Sequence, residues 1–526
     1  MSAETIARWQ FGITTVYHFL FVPLTIGLSL LVATMQTVWH RTGNPDWLRL
    51  TRFWGRLMLV IFAMGVVTGI VQEFQFGMSW SEYSRFVGDV FGAPLAMEAL
   101  IAFFLESTFL GLWIFGWDRL PRRVHLATIW CASIGTVISA YFILAANSWM
   151  QHPVGYTIDP QTGRAELTSI WAVLTNSTQL VTFPHVLAAS LVTAGAALTG
   201  VSAWHLRRSH QTGLHRRTAK LGVAVTVVAA LGVIVSGHFQ GQVMTEQQPM
   251  KMASAEALWE TETNAPLSLF AYGDVNEGRN KVDIKIPGLL SFMATNSTSG
   301  EVQGVNDLQT QAEQQYGPGD YTPVMGVTYW TFRTMMGAGF ASLVLAAAMA
   351  VWLRRTRGQA EEPEDAADAA APAGQPAGRR RFSRPVTLLL VASTWAVALP
   401  YAANTAGWIF TEMGRQPWVV FGLLQTSAGL SPGVSATEAL LTLIGFTVIY
   451  GALALVALKL FLRYCRAEVP ELVPSGRGGP GPAGGRGPAD RTDGSGTGGG
   501  AADRGDPHGG DPVDSQVEDR LPSLAY

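Results

Sequence analysis

Nine long runs of mainly apolar residues follow one another along the chain, separated by polar connections. About 20 apolar residues are enough for a helix to cross the hydrocarbon core of a bilayer. Each run therefore predicts one membrane-spanning helix, and the whole pattern predicts an all-α integral membrane protein with nine transmembrane helices. The predicted spans lie at 13–38, 55–79, 94–117, 125–149, 182–206, 219–237, 326–353, 386–410 and 435–462.

Basic residues near the span ends predict how this bundle is oriented, because Arg and Lys favour the cytoplasmic side. The first, third, fifth and seventh connections are basic, whereas the second offers only Arg85 and the eighth only Arg415. We therefore expect the N-terminus outside and the C-terminus in the cytoplasm. The basic connections carry Arg41, Arg49 and Arg52; Arg119, Arg122 and Arg123; Arg207, Arg208, Arg216, Arg217 and Lys220; and Arg354, Arg355, Arg357, Arg379, Arg380, Arg381 and Arg384.

Two polar segments interrupt the pattern and divide the chain into four parts. Residues 1–237 carry helices one to six, and 326–466 carry helices seven to nine. The loop 238–325 faces outside, and a connection of that length is usually functional or disordered. Gly and Pro dominate residues 467–526, which predicts a disordered cytoplasmic tail.

Composition agrees with a membrane protein, since 48% of residues are hydrophobic and only 14% are charged. The formal net charge of -2 gives no general attraction to nucleic acid. Cys131 and Cys465 lie far apart without metal-ligand spacing, so neither a disulfide framework nor a zinc site is expected. The N-terminus lacks the pattern of a removable signal peptide.

Titratable residues inside the predicted spans are the main candidates for function, because a charge in the hydrocarbon core is costly. With the expected orientation, all but Glu106 lie in the outer half of the membrane. To the titratable residues we add a thioether, that of Met335, which stands beside Arg333. The candidates are His18, Glu98, Glu106, His185, Met335 and Glu412.

A histidine and a methionine on neighbouring helices can fill both axial positions of one haem iron. His185 and Met335 fit such an electron-transfer haem. Oxygen binding requires a second centre with an open position, and His18 with nearby carboxylates would suit it. Taken singly, the histidines could equally be packing residues, and a methionine in an apolar span is usually filler.

Glu98 and Glu106 are spaced i, i+8, which places them on one stripe of a regular helix. At 1.5 Å rise per residue, Glu106 would lie roughly 12 Å closer to the cytoplasm. Such a ladder could deliver protons inward to an outer oxygen site, and Ser139 could extend it. Protonated carboxyls that hold helices together, or an ion-transport path, remain alternatives.

Four longer motifs resemble subunit I of the cytochrome bd quinol oxidases over about residues 1–465. They are FGITTVYHFLFVPLTIG at 11–27, ANSWMQHPVG at 146–155, QPMKMASAEA at 248–257 and GWIFTEMGRQPWVV at 407–420. The last two are chemically unusual for a membrane protein.

The resemblance implies a haem-binding bundle with low-spin haem b (haem b558), high-spin haem b (haem b595) and haem d. His185 and Met335 would ligate the low-spin haem, while His18 and Glu412 would serve the high-spin pair in an order left open. Glu98 resembles the acid beside haem d and is a further candidate ligand. Glu106 and Ser139 resemble the proton path. Arg8, Arg333, Trp408 and Arg415 resemble residues around the haems.

The outer loop resembles the quinol-oxidising loop of that family, in which Lys251 and Glu256 match residues tied to quinol oxidation. Quinol oxidation releases two protons, so a carboxylate such as Glu256 could accept one while Lys251 polarises a ring oxygen. Without the motif, an exposed pair on an amphipathic helix would be the simpler interpretation.

The resemblance implies an electrogenic quinol:oxygen oxidoreductase in a bacterial cytoplasmic membrane. Electrons would pass from low-spin haem b to the high-spin pair, where dioxygen becomes water, and a proton gradient would form without pumping. An obligate partner, subunit II, is implied, and small single-span accessory subunits are compatible. Alternatives are an oxidase with haem b only, a quinol-binding relative without an oxygen site, or a haem-free proton or ion transporter. The sequence leaves open ubiquinol versus menaquinol, oxygen affinity, and any role for residues 358–384.

Overall fold

A computed structural model of the chain describes residues 2–274, 278–356 and 382–471. Contacts divide the chain into two units, residues 1–470 and 471–526. The fold reported below is that of the first unit. The predicted disordered tail beyond residue 471 and most of the 358–384 insert lie outside the described residues. The first residues of the predicted tail are described, and Val469 among them is buried and bound by Arg49 and Gln211.

Helices account for most of the described chain. In chain order they are α1 (Ala3–Phe19), α2 (Val22–Thr42), α3 (Pro45–Met78), α4 (Ser81–Met97), α5 (Phe104–Phe115), α6 (Arg122–Gln151), α7 (Ile170–Leu174), α8 (Ser177–Arg207), α9 (Thr212–Gln247), α10 (Pro249–Glu256), α11 (Leu289–Thr295), α12 (Val305–Tyr316), α13 (Met325–Arg355), α14 (Arg384–Thr394), α15 (Ala398–Met413) and α16 (Ala436–Arg466).

Short strands occur only in the connections, where they form two-stranded antiparallel pairs, so the described chain is mostly rather than purely α-helical. The pairs are β1–β2, β3–β6, β4–β5 and β7–β8. The strands are β1 (Tyr156–Ile158), β2 (Ala165–Leu167), β3 (Glu262–Thr263), β4 (Leu267–Asp274), β5 (Arg279–Ile286), β6 (Glu301–Val302), β7 (Trp418–Val420) and β8 (Leu424–Gln425).

Within the described residues, eight helical segments are long and apolar enough to cross a membrane, or nine if one bent helix pair counts as a span. All nine predicted runs coincide with these segments. Many of their apolar side chains face outward, as expected for helices whose solvent is lipid. The multi-pass architecture is therefore confirmed, while the orientation of the bundle stays a prediction.

The structure breaks two predicted spans that the hydropathy pattern shows as continuous. The first is divided into α1 and α2 at Leu20 and Phe21, and Pro23 is the second residue of α2. The eighth is divided into α14 and α15, which meet at an angle of 41°. Pro400 lies in the first turn of α15. Proline has no backbone N–H to donate, so it would interrupt the hydrogen bonds of a continuous helix. Both breaks lie close to such a proline.

A π-helical turn at Glu98–Phe103 joins α4 to α5 and changes the predicted relation between the two glutamates. The i, i+8 stripe and the 12 Å separation assumed a regular α-helix. A π turn bonds i to i+5, so it alters the rotation between Glu98 and Glu106. π turns are frequent at functional sites, and this one begins at a candidate site residue.

The predicted loop 238–325 is folded and begins later than expected. Helix α9 runs on to Gln247, because the polar end of this helix remains helical beyond its apolar run. The rest of the loop carries α10 to α12 and β3 to β6, with small apolar cores of its own. Met252 and Ala253 of α10 contribute to these cores, which fixes α10 at the base of the loop.

Helices α8 and α9 lie close together where two glycines face one another. A Cβ atom placed on Gly195 would lie 2.5 Å from the Thr226 Oγ1 atom and 2.7 Å from the Gly222 carbonyl oxygen. A Cβ on Gly222 would lie equally close to the Gly195 carbonyl oxygen. Small residues of this kind let membrane helices pack backbone to backbone.

We expect Gly195→Val to push α8 and α9 apart and to lower the free energy of unfolding by about 1–3 kcal/mol. Gly445→Val is the matched control, because a Cβ at Gly445 of α16 meets nothing within 4 Å. Thermal unfolding of the purified chain in detergent would compare them. Equal unfolding temperatures for the two variants would contradict the close packing.

Candidate functional site

The last turn of α6 forms hydrogen bonds to two of the predicted site residues, which lie in other parts of the chain. The Asn147 amide donates to the Glu412 Oε1 atom at 2.9 Å. One turn further on, the Gln151 Oε1 atom accepts a hydrogen bond of 2.5 Å from the Lys251 ammonium. The Gln151 carbonyl also accepts from Gln248 at the start of α10. This turn, Asn147–Gln151, is called the α6 hub below.

Glu412 lies at the end of α15 and forms an ion pair with Arg415. The guanidinium of Arg415 is buried, and its Nε and Nη1 atoms have no hydrogen-bond partner among the described residues. Lys251 packs onto the same segment, since a Cβ on Gly414 would lie 2.7 Å from the Lys251 Cγ atom. The 238–325 loop and the GRQPW segment at 414–418 therefore meet in one largely buried, charged region.

Trp408 connects this region to α1. Its ring stacks on Phe19 with ring centres 5.4 Å apart and planes inclined by 9°. Its Nε1 atom is buried without a partner within the described chain. Arg8, by contrast, is half-exposed on α1 and forms an ion pair with Glu4 at 3.8 Å.

His18 lies in the last turn of α1, next to Phe19. Its Nδ1 atom lies 2.9 Å from the Thr68 hydroxyl of α3. Gly69 lies against the imidazole, because a Cβ there would be 3.2 Å from the His18 Cε1 atom. The Nε2 atom forms no hydrogen bond in the part of the chain that the structure describes. One ring nitrogen is thus held by the protein, and the other remains available for a ligand bond.

His185 of α8 repeats this arrangement. Its Nδ1 atom lies 3.1 Å from the Ser236 hydroxyl of α9, and Gly237 lies against the ring. Met335 of α13 faces Gly407 of α15, where a Cβ would be 2.8 Å from the Met335 sulfur. Helices α8 and α13 both pack against α9 and α15. The two predicted axial ligands therefore lie on helices that meet in one part of the bundle.

These observations fit a bound haem. A ligand histidine is usually oriented by a hydrogen bond from its other ring nitrogen, as His18 and His185 are. A buried donor without a partner costs about 1–3 kcal/mol. Within the described chain, Arg333, Trp408 and Arg415 have buried N–H donors without a partner, and these donors call for an acceptor such as an anionic haem propionate.

Across the described segments, no group of three or more His, Cys, Asp or Glu side chains lies close enough to hold a metal ion. The haem ligation predicted from the sequence does not require such a group. A haem iron takes only one or two axial ligands from the protein. Each haem iron would therefore be bound by only one or two protein side chains, such as His18 or His185.

Glu98 and Glu106 both face α6 despite the π turn between them. The Ser139 hydroxyl donates to the Glu98 Oε1 atom at 2.8 Å. The Thr136 hydroxyl donates to the Glu106 Oε1 atom at 2.7 Å. Ser139 and Thr136 are three residues apart on α6, so the structure brings the two carboxyls and two hydroxyls into one row.

Lys251 is buried within α10, at the base of the outer loop. Burial, and then the positive charge of Arg415, lower the pKa of the Lys251 ammonium to about 7. Lys251 can therefore change its protonation near neutral pH. This buried position rules out the simpler interpretation of Lys251 and Glu256 as an exposed surface pair.

Glu256 ends α10 and is only 3% exposed. Its Oε2 atom accepts from the Arg333 Nη2 atom at 2.5 Å and from the Ser268 backbone N–H at 3.1 Å. Its Oε1 atom is buried without a partner within the described residues. Burial raises the pKa of Glu256, and the neighbouring Arg333 opposes that rise.

The structure adds site residues that the sequence alone did not single out. Asn147 and Gln151 lie within a recognised motif, but their partners are about one hundred residues or more away in the chain. Thr136, Thr68 and Ser236 are ordinary hydroxyl residues in apolar helices. Only their contacts distinguish them from the other serines and threonines of the spans.

We expect Lys251→Met to raise the apparent unfolding temperature at acidic pH and to change it little at strongly alkaline pH. Between the folded pKa of about 7 and the usual lysine pKa of 10.5, the unfolded chain binds more protons at Lys251. Wild-type stability must therefore fall as the pH falls through this window. The variant lacks that penalty.

Thermal unfolding across this pH range checks the expectation, with Lys459→Met on an exposed position of α16 as the control. A Lys251→Met variant whose difference from wild type does not change with pH would contradict the buried-lysine account.

The family model described as "Cytochrome bd terminal oxidase subunit I" matches residues 6–469. The chain is 45% identical over 464 residues to "Cytochrome bd ubiquinol oxidase subunit 1" of Bacillus subtilis (strain 168), covering 88% of this chain and 93% of that relative. It is 33% identical to "Cytochrome bd-II ubiquinol oxidase subunit 1" of Escherichia coli (strain K12), covering 88% and 96%.

The fold is similar to a solved structure titled "The structure of bd oxidase from Geobacillus thermodenitrificans". The TM-score is 0.75 at 27% identity, and the similarity covers 88% of this chain and 98% of that chain. Together with the matched motifs and the buried charged site, these findings show that the chain belongs to the cytochrome bd terminal oxidase subunit I family.

Proposed function

We propose that this chain is the haem-carrying, quinol-oxidising subunit of a terminal oxidase that reduces dioxygen to water. The observation that carries the proposal is the α6 hub, which binds a buried loop lysine and a part-buried candidate haem ligand from one helix end. Asn147 reaches Glu412, and Gln151 reaches Lys251. An enzyme that passes electrons from quinol to haem needs these two regions to be adjacent.

Four residues would hold the haems in this proposal. His185 and Met335 would ligate low-spin haem b, and His18 and Glu412 would serve the high-spin haem b and haem d pair. When bound, the haems would carry electrons from quinol and provide the centre at which dioxygen is reduced. Arg333, Trp408 and Arg415 would supply donors to propionates through their unpartnered nitrogens. Arg8 is a weaker candidate for the same role, because it pairs with Glu4.

Lys251 and Glu256 would handle the quinol in the outer loop. The Lys251 ammonium, held by Gln151, would donate to a ring oxygen. The unpartnered Oε1 atom of Glu256 would accept a proton from the quinol hydroxyl, and Arg333 would keep the carboxyl oriented. A base positioned in this way typically accelerates proton transfer by about 10²–10⁴-fold.

The row formed by Glu98, Ser139, Thr136 and Glu106 would bring protons from the cytoplasmic side to the oxygen site. Quinol protons would leave on the outer side. Charge would then be separated across the membrane without a pump. This role depends on the predicted orientation, with the N-terminus outside.

A second membrane subunit would complete the enzyme in this proposal. Large apolar side chains cover the outer surface of α3, the π turn and α5, where either a partner or lipid would lie. They are Phe74, Leu100, Phe104 and Phe115. The relatives that the chain resembles are named as ubiquinol oxidase subunits, and the ubiquinol assignment extends to this chain only as a proposal.

A dithionite-reduced minus oxidised visible spectrum of membranes that contain the chain and its partner tests the proposal. We expect b-type signals together with a far-red chlorin signal. His185→Ala should lose the low-spin signal alone, because it removes one axial ligand. His40→Ala, in the last turn of α2, is the matched control and should keep every signal.

The other outcomes separate the alternatives. Membranes without any haem signal would contradict the oxidase and favour a transporter. b-type signals without the chlorin would indicate an oxidase with haem b only. A His185→Ala spectrum identical to wild type would contradict the assignment of this ligand.

A further inference from the structure

Glu256 cannot pass an accepted proton to Arg333, the residue that forms its ion pair. Arg333 holds the Glu256 Oε2 atom at 2.5 Å, but a guanidinium stays protonated and cannot accept a proton. The carboxyl is almost completely buried, so bulk water does not reach it. Continuous turnover therefore requires a second route from Glu256 to the outer surface.

Ser268 provides the first step of such a route. Its backbone N–H binds the Glu256 Oε2 atom at 3.1 Å, which places this residue next to the carboxyl. That hydroxyl donates to the Asp283 Oδ1 atom at 3.0 Å and also lies 3.0 Å from the Tyr329 hydroxyl. A serine hydroxyl can rotate, accepting a proton on one side and donating one on the other.

Asp283 brings the route to the surface. Its side chain is 13% exposed, compared with 38% for that of Lys285, its ion-pair partner at 3.1 Å. The Asn280 amide donates to the second Asp283 oxygen at 2.7 Å. Asp283 and Lys285 are two residues apart on β5 and so share one face of the strand. The β4–β5 hairpin therefore connects the buried Glu256 carboxyl to the partly exposed Asp283 carboxyl.

A purely structural role does not account for where Asp283 lies. Asn280 and Lys285 bind Asp283 from its own strand, and neither contact involves Glu256. The Asp283 charge nevertheless lies close enough to Glu256 to add to the rise in the pKa of Glu256. A second carboxylate beside a buried one is unfavourable for stability, but it favours the protonated form of Glu256 that quinol oxidation would produce.

We propose that Asp283, through the Ser268 hydroxyl, takes the quinol-derived proton from Glu256 and releases it to the outer aqueous phase. The Ser268 hydroxyl turns from Tyr329 towards Glu256 and takes its proton as the Glu256 O–H bond breaks, while it gives its own proton to Asp283. The new O–H bond at Asp283 then breaks as the proton is released to water. No electron moves in this step. The charged and titratable groups facing this route are Arg333 and Tyr329 of α13 and Lys285 of β5. The proposal rests on the proposed function of the quinol loop.

Steady-state quinol oxidation by the purified complex, measured across pH, tests the relay. We expect Asp283→Asn to lower kcat roughly tenfold at acidic and neutral pH, with little change in the KM for quinol. Alkaline pH or added acetate should restore kcat, because each supplies an alternative proton acceptor. Asp283→Glu should keep the activity.

Ser268→Ala is the second variant, because it removes the hydroxyl but keeps the backbone N–H that binds Glu256. We expect it to lower kcat in the same way as Asp283→Asn. Glu313→Gln, on the exposed face of α12, is the control and should match wild type. Haem spectra and unfolding temperatures would verify that each variant is folded. If Asp283→Asn does not fold, Ser268→Ala decides alone.

Glu256→Gln separates this proposal from the function on which it rests. If Glu256→Gln is inactive while Asp283→Asn and Ser268→Ala keep wild-type kcat and pH profile, the relay is wrong and the quinol site stands. A shift of the profile to acidic pH at unchanged maximal kcat also overturns the relay, since Asp283 would then act only through its charge. If Glu256→Gln keeps full activity, the proposed quinol site itself is wrong.

Discussion

The hydrogen bonds at the C-terminal end of α6 are the contacts on which the arrangement of the site depends. A helix end leaves polar groups that need partners, and here Asn147 and Gln151 supply side-chain bonds as well. Asn147 fixes Glu412 at the end of α15, and Gln151 fixes Lys251 in α10. Two chain segments that are distant in sequence thus become neighbours through one helical turn. Loss of either bond would leave a charged group, the buried Lys251 or the part-buried Glu412, without its neutral partner.

Buried charge is the second constraint, and it explains why the site is built from pairs. Arg415 binds Glu412, and Arg333 binds Glu256. Each guanidinium has further N–H groups without a partner among the described residues. Removing one partner of a buried pair typically costs about 3–5 kcal/mol, because the other charge is left uncompensated. Such pairs are weak contributors to stability. Their value is that they hold ionisable groups in fixed positions beside the places where a quinol and haems would bind.

The apolar runs predicted the helices well, because hydrophobicity over about 20 residues is a strong local signal. The candidate ligands followed from the rule that ionisable groups inside spans are costly. Three features could not be predicted from a local sequence pattern. The π turn at Glu98 depends on tertiary packing, the folded core of the outer loop depends on long-range contacts, and the pairing of Ser268 with Asp283 depends on the β4–β5 hairpin. Motif residues such as Gln151 could be located but not connected to Lys251.

Electron cryo-microscopy of the purified complex of this chain with its membrane partner tests the central claim most directly, because it shows the bound groups. The account predicts porphyrin density between α8 and α13 with iron bound by His185 and Met335, and further porphyrin density at His18 and Glu412. It also predicts propionates against Arg333 or Arg415. A bundle in which these side chains contact no porphyrin, or in which other residues ligate the iron, would contradict the account.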